Sequence, residues 1–369
     1  MIPTPATRNT DIVIVGGGVL GLLSARNLSA CGVRVTVIDK GPLGREASWA
    51  GGGIMSPLYP WRYDWSINCL AQRSQTMYPA LARELERETG IDIQHITCGL
   101  LTLDAPDHEF ALAWGQEHGQ LIEARQDEQL ARLEPNLGGG FQKGLWMPDV
   151  ANVRNPVFLE ALKASLAGNP LVNLVEHCEL LGFSEQQGGI QGVETSMGSI
   201  KCEKTLITAG AWSAGLIEQL SATVPIEPVK GQMLLIKAEP GVVKRVVLSG
   251  GRYVIPRNDG HVLVGSSLEK TGFDACITDQ AKSSLSEFAY HLIPRLKGYP
   301  IVKQWAGLRP GSPAGVPYIG TVPGKPNVFI NAGHFRNGLI MAPASAKLIT
   351  DLMLARDVDI DPAPYRVNR

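Results

Sequence analysis

The sequence carries almost no net charge. Its 34 basic and 35 acidic side chains leave a formal charge of −1 over 369 residues, so no basic surface for nucleic acid or an anionic membrane is expected. No run of eighteen apolar residues occurs, which removes a membrane-spanning helix. Residues 1–10 lack the apolar centre of a secretory signal, and the expectation is a cytoplasmic protein with a small-molecule partner. A Cys-x-x-Cys pair is also missing. The six cysteines, Cys31, Cys69, Cys98, Cys178, Cys202 and Cys276, are scattered and read as buried thiols, neither ligands nor bridges. His95, His108 and His118 show no metal-ligand spacing, among themselves or with the cysteines, and read as surface histidines. Nor is there a paired carboxylate or a Ser/His/Asp constellation anywhere in the chain. At this length one hydrophobic core is exceeded, and two domains are expected.

What is present begins at Asp11-Ile12-Val13-Ile14-Val15-Gly16-Gly17-Gly18-Val19-Leu20-Gly21. An apolar run enters Gly16-x-Gly18-x-x-Gly21, and Leu22, Leu23, Ala25 and Leu28 continue as the stripe of a helix. Gly16 permits the turn, Gly18 lets a pyrophosphate approach, and Gly21 lets the helix pack on the strand with its N–H groups facing the anion. A second strand, Val33–Ile38, ends at Asp39, where a carboxylate meets an adenosine ribose. NAD and FAD both use this unit.

Further along, Lys40–Ile54 is polar and glycine-rich. The small residues Ala50–Gly53 suit a backbone passing hard against a flat ligand, with Ser48 within reach of a phosphate oxygen. The spacing of Leu70, Met77, Leu81 and Leu85 predicts a helix from Trp65 to about Thr89, and Glu109–His118 reads as a surface helix. Asn155-Pro156 sets an N-cap and first-turn pair for a helix through Leu166. The strand Leu171–Glu176 is followed by a polar hairpin, Gln186-Gln187-Gly188-Gly189. The buried run Lys204–Gly210 then ends in Ala209-Gly210, like the strand that flavoproteins bring to the adenine side of FAD. Between Val224 and Gly265 strand-like runs punctuated by Gly250-Gly251 and Asn258-Asp259-Gly260 predict an antiparallel sheet. Thr278 caps the next helix. Strands here come in a block without βαβ order, as in a separate substrate domain.

Trp305–Gly320 embeds Arg309 among glycines and prolines, a setting suited to a two-pronged grip on a carboxylate. The strand Val328–Asn331 enters Ala332-Gly333-His334-Phe335-Arg336-Asn337-Gly338, a second glycine-bearing junction, and Leu339–Met353 continues as a helix.

Taken together, Gly16–Gly21, Arg45–Gly53, Thr208–Ser213, Tyr253–Arg257, Gly307–Gly320 and Gly333–Gly338 resemble the D-amino-acid oxidase family of flavoproteins, and most of all its bacterial branch acting on glycine. The resemblance implies an α/β fold: a discontinuous Rossmann-like FAD-binding domain over 1–60, 150–215 and 300–369, and an α+β substrate domain with an antiparallel sheet over 61–149 and 216–299. It implies non-covalent FAD and oxidative deamination of glycine, sarcosine or small D-amino acids to oxo acid, ammonia and hydrogen peroxide, serving thiamin thiazole synthesis. Oxygen is the implied acceptor and a homo-oligomer the implied assembly. A sarcosine oxidase-like enzyme or an electron-transferring dehydrogenase shares most of the motifs. By motif match Arg309 binds the substrate carboxylate, Tyr253 hydrogen-bonds it, and Arg336 lies at flavin and substrate. Cofactor contacts are implied for Gly16, Gly18, Val19, Leu20, Gly21, Asp39, Lys40, Ala47, Ser48, Gly52, Gly53, Ile54, Leu180, Gly210, His334, Phe335, Arg336, Asn337, Gly338, Leu339 and Ile340. No catalytic acid or base is required of the protein.

Overall fold

A computed structural model describes residues 10–186 and 189–369. The tip of the expected Gln186–Gly189 hairpin, Gln187-Gly188, lies outside the described residues.

β-Branched runs build the first sheet. Its six strands lie in the order Tyr318–Val322, Lys325–Ala332, Lys204–Ile207, Ile12–Val15, Val35–Ile38 and Val172–Val175. All neighbours pair in parallel except the first two. Ile12, Val13 and Ile14 are buried on both faces, which is why this strand reads as a continuous apolar run. The helices Val19–Ala30, Trp65–Thr89, Asn155–Ala167 and Gly338–Met353 contribute to one core with it.

The antiparallel block forms a second sheet of eight strands. Its order is Ile301–Gly311, Glu227–Lys237, His261–Gly265, Arg252–Pro256, Val246–Ser249, Leu100–Leu103, Lys143–Met147 and Glu123–Gln126. One pairing departs from the expected pattern: Val246–Ser249 runs parallel to Leu100–Leu103. Helix Asp279–Leu292 packs on this sheet through Leu285, Ala289 and Leu292, and Thr278 caps it by accepting the Ala281 N–H at 3.2 Å, as its sequence position predicts. Helix Trp65–Thr89 shares the core of the parallel sheet, and Ile301–Gly311 is the edge strand of the antiparallel one.

Helix Trp65–Thr89 is fixed at a defect. Pro343 sits inside Gly338–Met353 and has no N–H for the Leu339 carbonyl one turn back. Tyr78 of Trp65–Thr89 donates its hydroxyl to that carbonyl, and Ser74 Oγ accepts the Ala344 N–H at 3.0 Å. Two side chains thus satisfy backbone groups that the proline disturbs. Some expectations shift. Cys98, Cys178 and Cys202 are buried, but Cys31 and Cys69 are partly exposed and Cys276 is exposed; all six are free. His95, His108 and His118 are all half-buried, His95 stacking on Tyr78.

Candidate active site between the two sheets

Strand Ile12–Val15 delivers the chain at Gly16, whose φ of 108° is open to glycine alone without strain. A Cβ at Gly16 would lie 2.6 Å from the Thr208 carbonyl oxygen, and one at Gly21 would lie 2.0 Å from the Gly16 oxygen. Those two glycines close the helix and strands on one another. Gly18 is different, since its missing Cβ meets only Ser48 Oγ, at 3.0 Å. Gly16, Gly18, Val19 and Leu20 line a cleft between the sheets, and Gly21 lies behind it. Helix Val19–Ala30 begins there with no acidic residue in its first turn, and Ser48 Oγ accepts the Val19 N–H at 3.0 Å. Asp39 also lines the cleft. Its carboxylate accepts N–H groups of Gly17 at 2.8 Å and Gly41 at 3.0 Å, so the acid shapes the glycine turn as well as facing the cleft.

The glycine-rich stretch after Asp39 is more ordered than its composition suggests. Ala47–Ala50 is a short helix held against the edge strand: Trp305 Nε1 donates to the Ala50 carbonyl at 3.0 Å, and Trp49 meets Trp305 edge-on. A Cβ on Gly307 would lie 2.5 Å from Ala50 Cβ, so this approach needs glycine. Beyond the helix, Arg257 is buried and clamps the chain, donating to the Gly52 carbonyl at 2.9 Å, Asn152 Oδ1 at 2.6 Å and the Val153 carbonyl at 2.8 Å. Burial, then the neighbouring Arg154 charge, pull its pKa down to about 10. Asn155 does not cap its helix. Its side chain is drawn away to the Ser48 carbonyl at 2.9 Å, and Arg154 takes the cap position without a side-chain bond. Sequence reading missed Asn155, Arg257 and Trp305 as parts of this wall.

At the other side of the cleft the register places Arg309 opposite Val229 and Gly307 opposite Gly231. A Cβ on Gly231 would lie 2.2 Å from either terminal nitrogen of Arg309, so that glycine makes the seat for the guanidinium. Arg309 Nη2 donates to Ser266 Oγ at 2.6 Å and Nη1 to the Ser267 carbonyl at 3.3 Å. Tyr253 stands beside it, its hydroxyl 3.4 Å from Ser266 Oγ and 3.7 Å from Met233 Sδ. Burial lowers the Arg309 pKa; Tyr253 opposes that and the Arg336 charge adds to it. Among the described residues no acidic side chain forms an ion pair with Arg309. Arg336 donates to the Gly251 carbonyl at 2.9 Å, and the Gly251 N–H donates to Tyr59 Oη at 3.0 Å.

The second glycine junction completes the cleft. Gly333 at φ 86° and Phe335 at φ 47° turn strand Lys325–Ala332 into helix Gly338–Met353, and a non-glycine residue in the left-handed region is strained backbone. The helix has neither a side-chain cap nor an acid in its first turn. His334 is fully buried, its Nε2 3.0 Å from Ser345 Oγ, and burial holds its pKa down at about 3. His334 Nδ1, Asn337 Nδ2 and Asn155 Oδ1 are buried polar atoms without partners among the described residues, all on residues of the cleft wall.

Similarity to known proteins agrees with this architecture. The family profile described as DAO, FAD dependent oxidoreductase, matches residues 11–352. The chain belongs to that family. It is 49% identical to a glycine oxidase of Pseudomonas aeruginosa over 354 residues, covering 96% of this chain and 97% of that protein. A bifunctional ThiO/ThiG protein of Nostoc is 33% identical over 95% of this chain and 53% of its own length. Among solved structures, glycine oxidase from Geobacillus kaustophilus superposes with a TM-score of 0.93 at 28% identity, covering 98% of each chain.

The family's cofactor is FAD, and the cleft fits it. Two helix N-termini free of acidic first turns suit a pyrophosphate and a polar ring edge. Gly18 leaves room for the first, and the orphaned His334 Nδ1 and Asn337 Nδ2 await partners at the second. Every residue that sequence reading assigned to cofactor or substrate lines this one cleft, with the exception of Gly21. Ala209 and Trp212, in the strand end expected at the adenine side, line it too, as do Met233 and Gly231, which were not foreseen. Trp212 carried a local signal, the Ala-Gly-Ala-Trp strand end. Gly231 carried none, because its role exists only once two distant strands are in register.

Proposed function

We propose that this FAD-dependent oxidoreductase oxidises glycine and other small amino acids, sarcosine and small D-amino acids among them, to the oxo acid, ammonia and hydrogen peroxide. The observation carrying this reading is Arg309: a half-buried guanidinium facing the cleft, without an ion-pair partner among the described residues, beside the phenol of Tyr253. Such a group is suited to an α-carboxylate, which needs a charged, hydrogen-bonded partner to leave water. Arg309 and Tyr253 then orient the substrate. Arg336, held by the Gly251 carbonyl, adds a second positive charge at the same end. When bound, the flavin supplies the hydride acceptor, so the protein's task is to place the substrate and keep its amine neutral. The cofactor would rest on Gly16, Gly18, Val19, Leu20, Asp39, Lys40, Ala47, Ser48, Gly52, Gly53, Ile54, Leu180, Gly210 and His334–Ile340. Gly21 would serve that end by packing the helix.

A panel of glycine, sarcosine, D-alanine and a neutral amine, read by peroxide release from purified protein, tests the proposal. Flavin reduction without peroxide would indicate a dehydrogenase serving another acceptor. The FAD is proposed to be non-covalent, since the last cysteine, Cys276, precedes Trp305–Gly338; acid precipitation should leave the yellow colour in solution. Likeness to the ThiO half of the ThiO/ThiG protein supports a place in thiamin thiazole synthesis. Residues 1–60, 150–215 and 300–369 would carry the cofactor and the remainder the substrate, with Ile301–Gly311 joining the two through the Trp305–Ala50 contact. Six free thiols accord with a reducing, cytoplasmic setting. Self-association is proposed as well, and light scattering at the 39.7-kDa monomer mass would remove it.

A further inference from the structure

The connection Ser266–Thr278 joins strand His261–Gly265 to helix Asp279–Leu292 with no helix or strand of its own. It is nonetheless tied down along its length by strand Glu227–Lys237. The backbones of Lys230 and Glu269 exchange hydrogen bonds at 2.9 and 3.0 Å. The Lys230 side chain, only 2% exposed, donates to Asp274 at 2.8 Å and pairs with Glu269 at 3.2 Å. Gln232 reaches Glu269 at 3.0 Å and Thr278 Oγ1 at 3.1 Å. A buried lysine needs such partners, and here they fix a loop.

The loop's first residues, Ser266 and Ser267, hold Arg309. Its middle reaches the far end of the cleft. Phe273 lies against Trp212 with ring centres 5.5 Å apart, and the Lys40 ammonium sits 3.9 Å from the centre of the same indole. Trp212 and Lys40 line the cleft; Phe273 does not, and is 55% exposed. A large apolar side chain left so open is not placed by burial in a core. Its position is set by the anchored Asp274 next to it and by the indole it touches.

We propose that Ser266–Thr278 is a strap that tightens FAD binding from outside the cleft, Phe273 bracing Trp212 and the Lys230–Asp274 ion pair setting where Phe273 sits. The inference rests on the assignment of Asp39, Lys40 and Gly210–Trp212 to the adenosine end of the cofactor. An indole in contact with both an ammonium and a second ring presents a fixed wall, whereas an unbraced one must be ordered each time the cofactor binds. The effect belongs chiefly to the dissociation rate.

The test is the release of FAD fluorescence on dilution of the holoenzyme, compared among the native protein, Phe273→Ala, Asp274→Asn and Trp212→Ala. Phe273→Ala should speed release by about 2- to 10-fold, the range expected of one aromatic pair. Asp274→Asn should speed it in the same direction by less. Phe273 is exposed enough that the fold should not depend on it, and an unchanged far-ultraviolet spectrum checks this. If Trp212→Ala speeds release while Phe273→Ala and Asp274→Asn do not, the strap is refuted and the adenosine-end assignment stands. If none of the three changes release, both fall.

Discussion

Arg309 is the residue on which substrate recognition turns. Charge-assisted hydrogen bonds contribute roughly 1.5–3 kcal/mol each, so Arg309→Ala should lower kcat/KM for glycine by about tenfold to several hundredfold. Arg309→Lys should lose less, because one ammonium replaces the charge but not the fork. Activity on a neutral amine of similar size should fall far less, and equal losses on both would make the arginine structural. His334 gives a pH signature. With its pKa held near 3 in the folded protein against 6.5 ordinarily, the unfolded chain binds more protons between those values. Its contribution to stability is therefore complete above about pH 6.5 and declines as pH falls toward 3. His334→Gln should flatten that slope in denaturant titrations from pH 7 to 5, and an unchanged slope would refute it. The isolation of Arg309 among glycines and prolines was legible in the sequence. Asn155 and Arg257 were not, because their partners, the Ser48 and Gly52 carbonyls, lie more than a hundred residues away.

At the level of the element, the three glycines of the first turn separate by what each missing Cβ would meet. Gly18→Val presses on one flexible hydroxyl, whereas Gly21→Val would collide with backbone. Gly18→Val should therefore give folded protein that is colourless or needs excess FAD, and stoichiometric FAD at native affinity would remove Gly18 from the pyrophosphate site. The helix pair joined at Pro343 allows a stability test. Tyr78→Phe leaves the Leu339 carbonyl buried without its donor, which costs about 1–3 kcal/mol. A lowered urea midpoint with unchanged slope is the expected result. Elements were legible wherever local signals sufficed. Trp65–Thr89 and the Thr278 cap fall where helical spacing and cap chemistry put them. The parallel pairing of Val246–Ser249 with Leu100–Leu103 was not foreseeable, since period-two alternation says nothing of a strand's partner.

For the whole molecule, the antiparallel sheet was legible in its strand runs and hairpin signals, the discontinuous cofactor domain was an expectation of the family resemblance, and the register that seats Arg309 came only from the structure. The order of the six-stranded sheet has a consequence for the chain's birth on the ribosome. Ile12–Val15 can pair with Val35–Ile38 almost as soon as both emerge, but its other neighbour, Lys204–Ile207, follows roughly 190 residues later. At 5–20 residues per second that is a wait of about 10–40 s, with one edge of a wholly apolar strand unpaired. Lys325–Ala332, the edge strand Tyr318–Val322 and helix Gly338–Met353 arrive later still. This nucleotide-binding unit is thus made before its neighbouring strands and is among the last to be finished, and a nascent chain halted before residue 204 should be held by chaperones instead of folding alone.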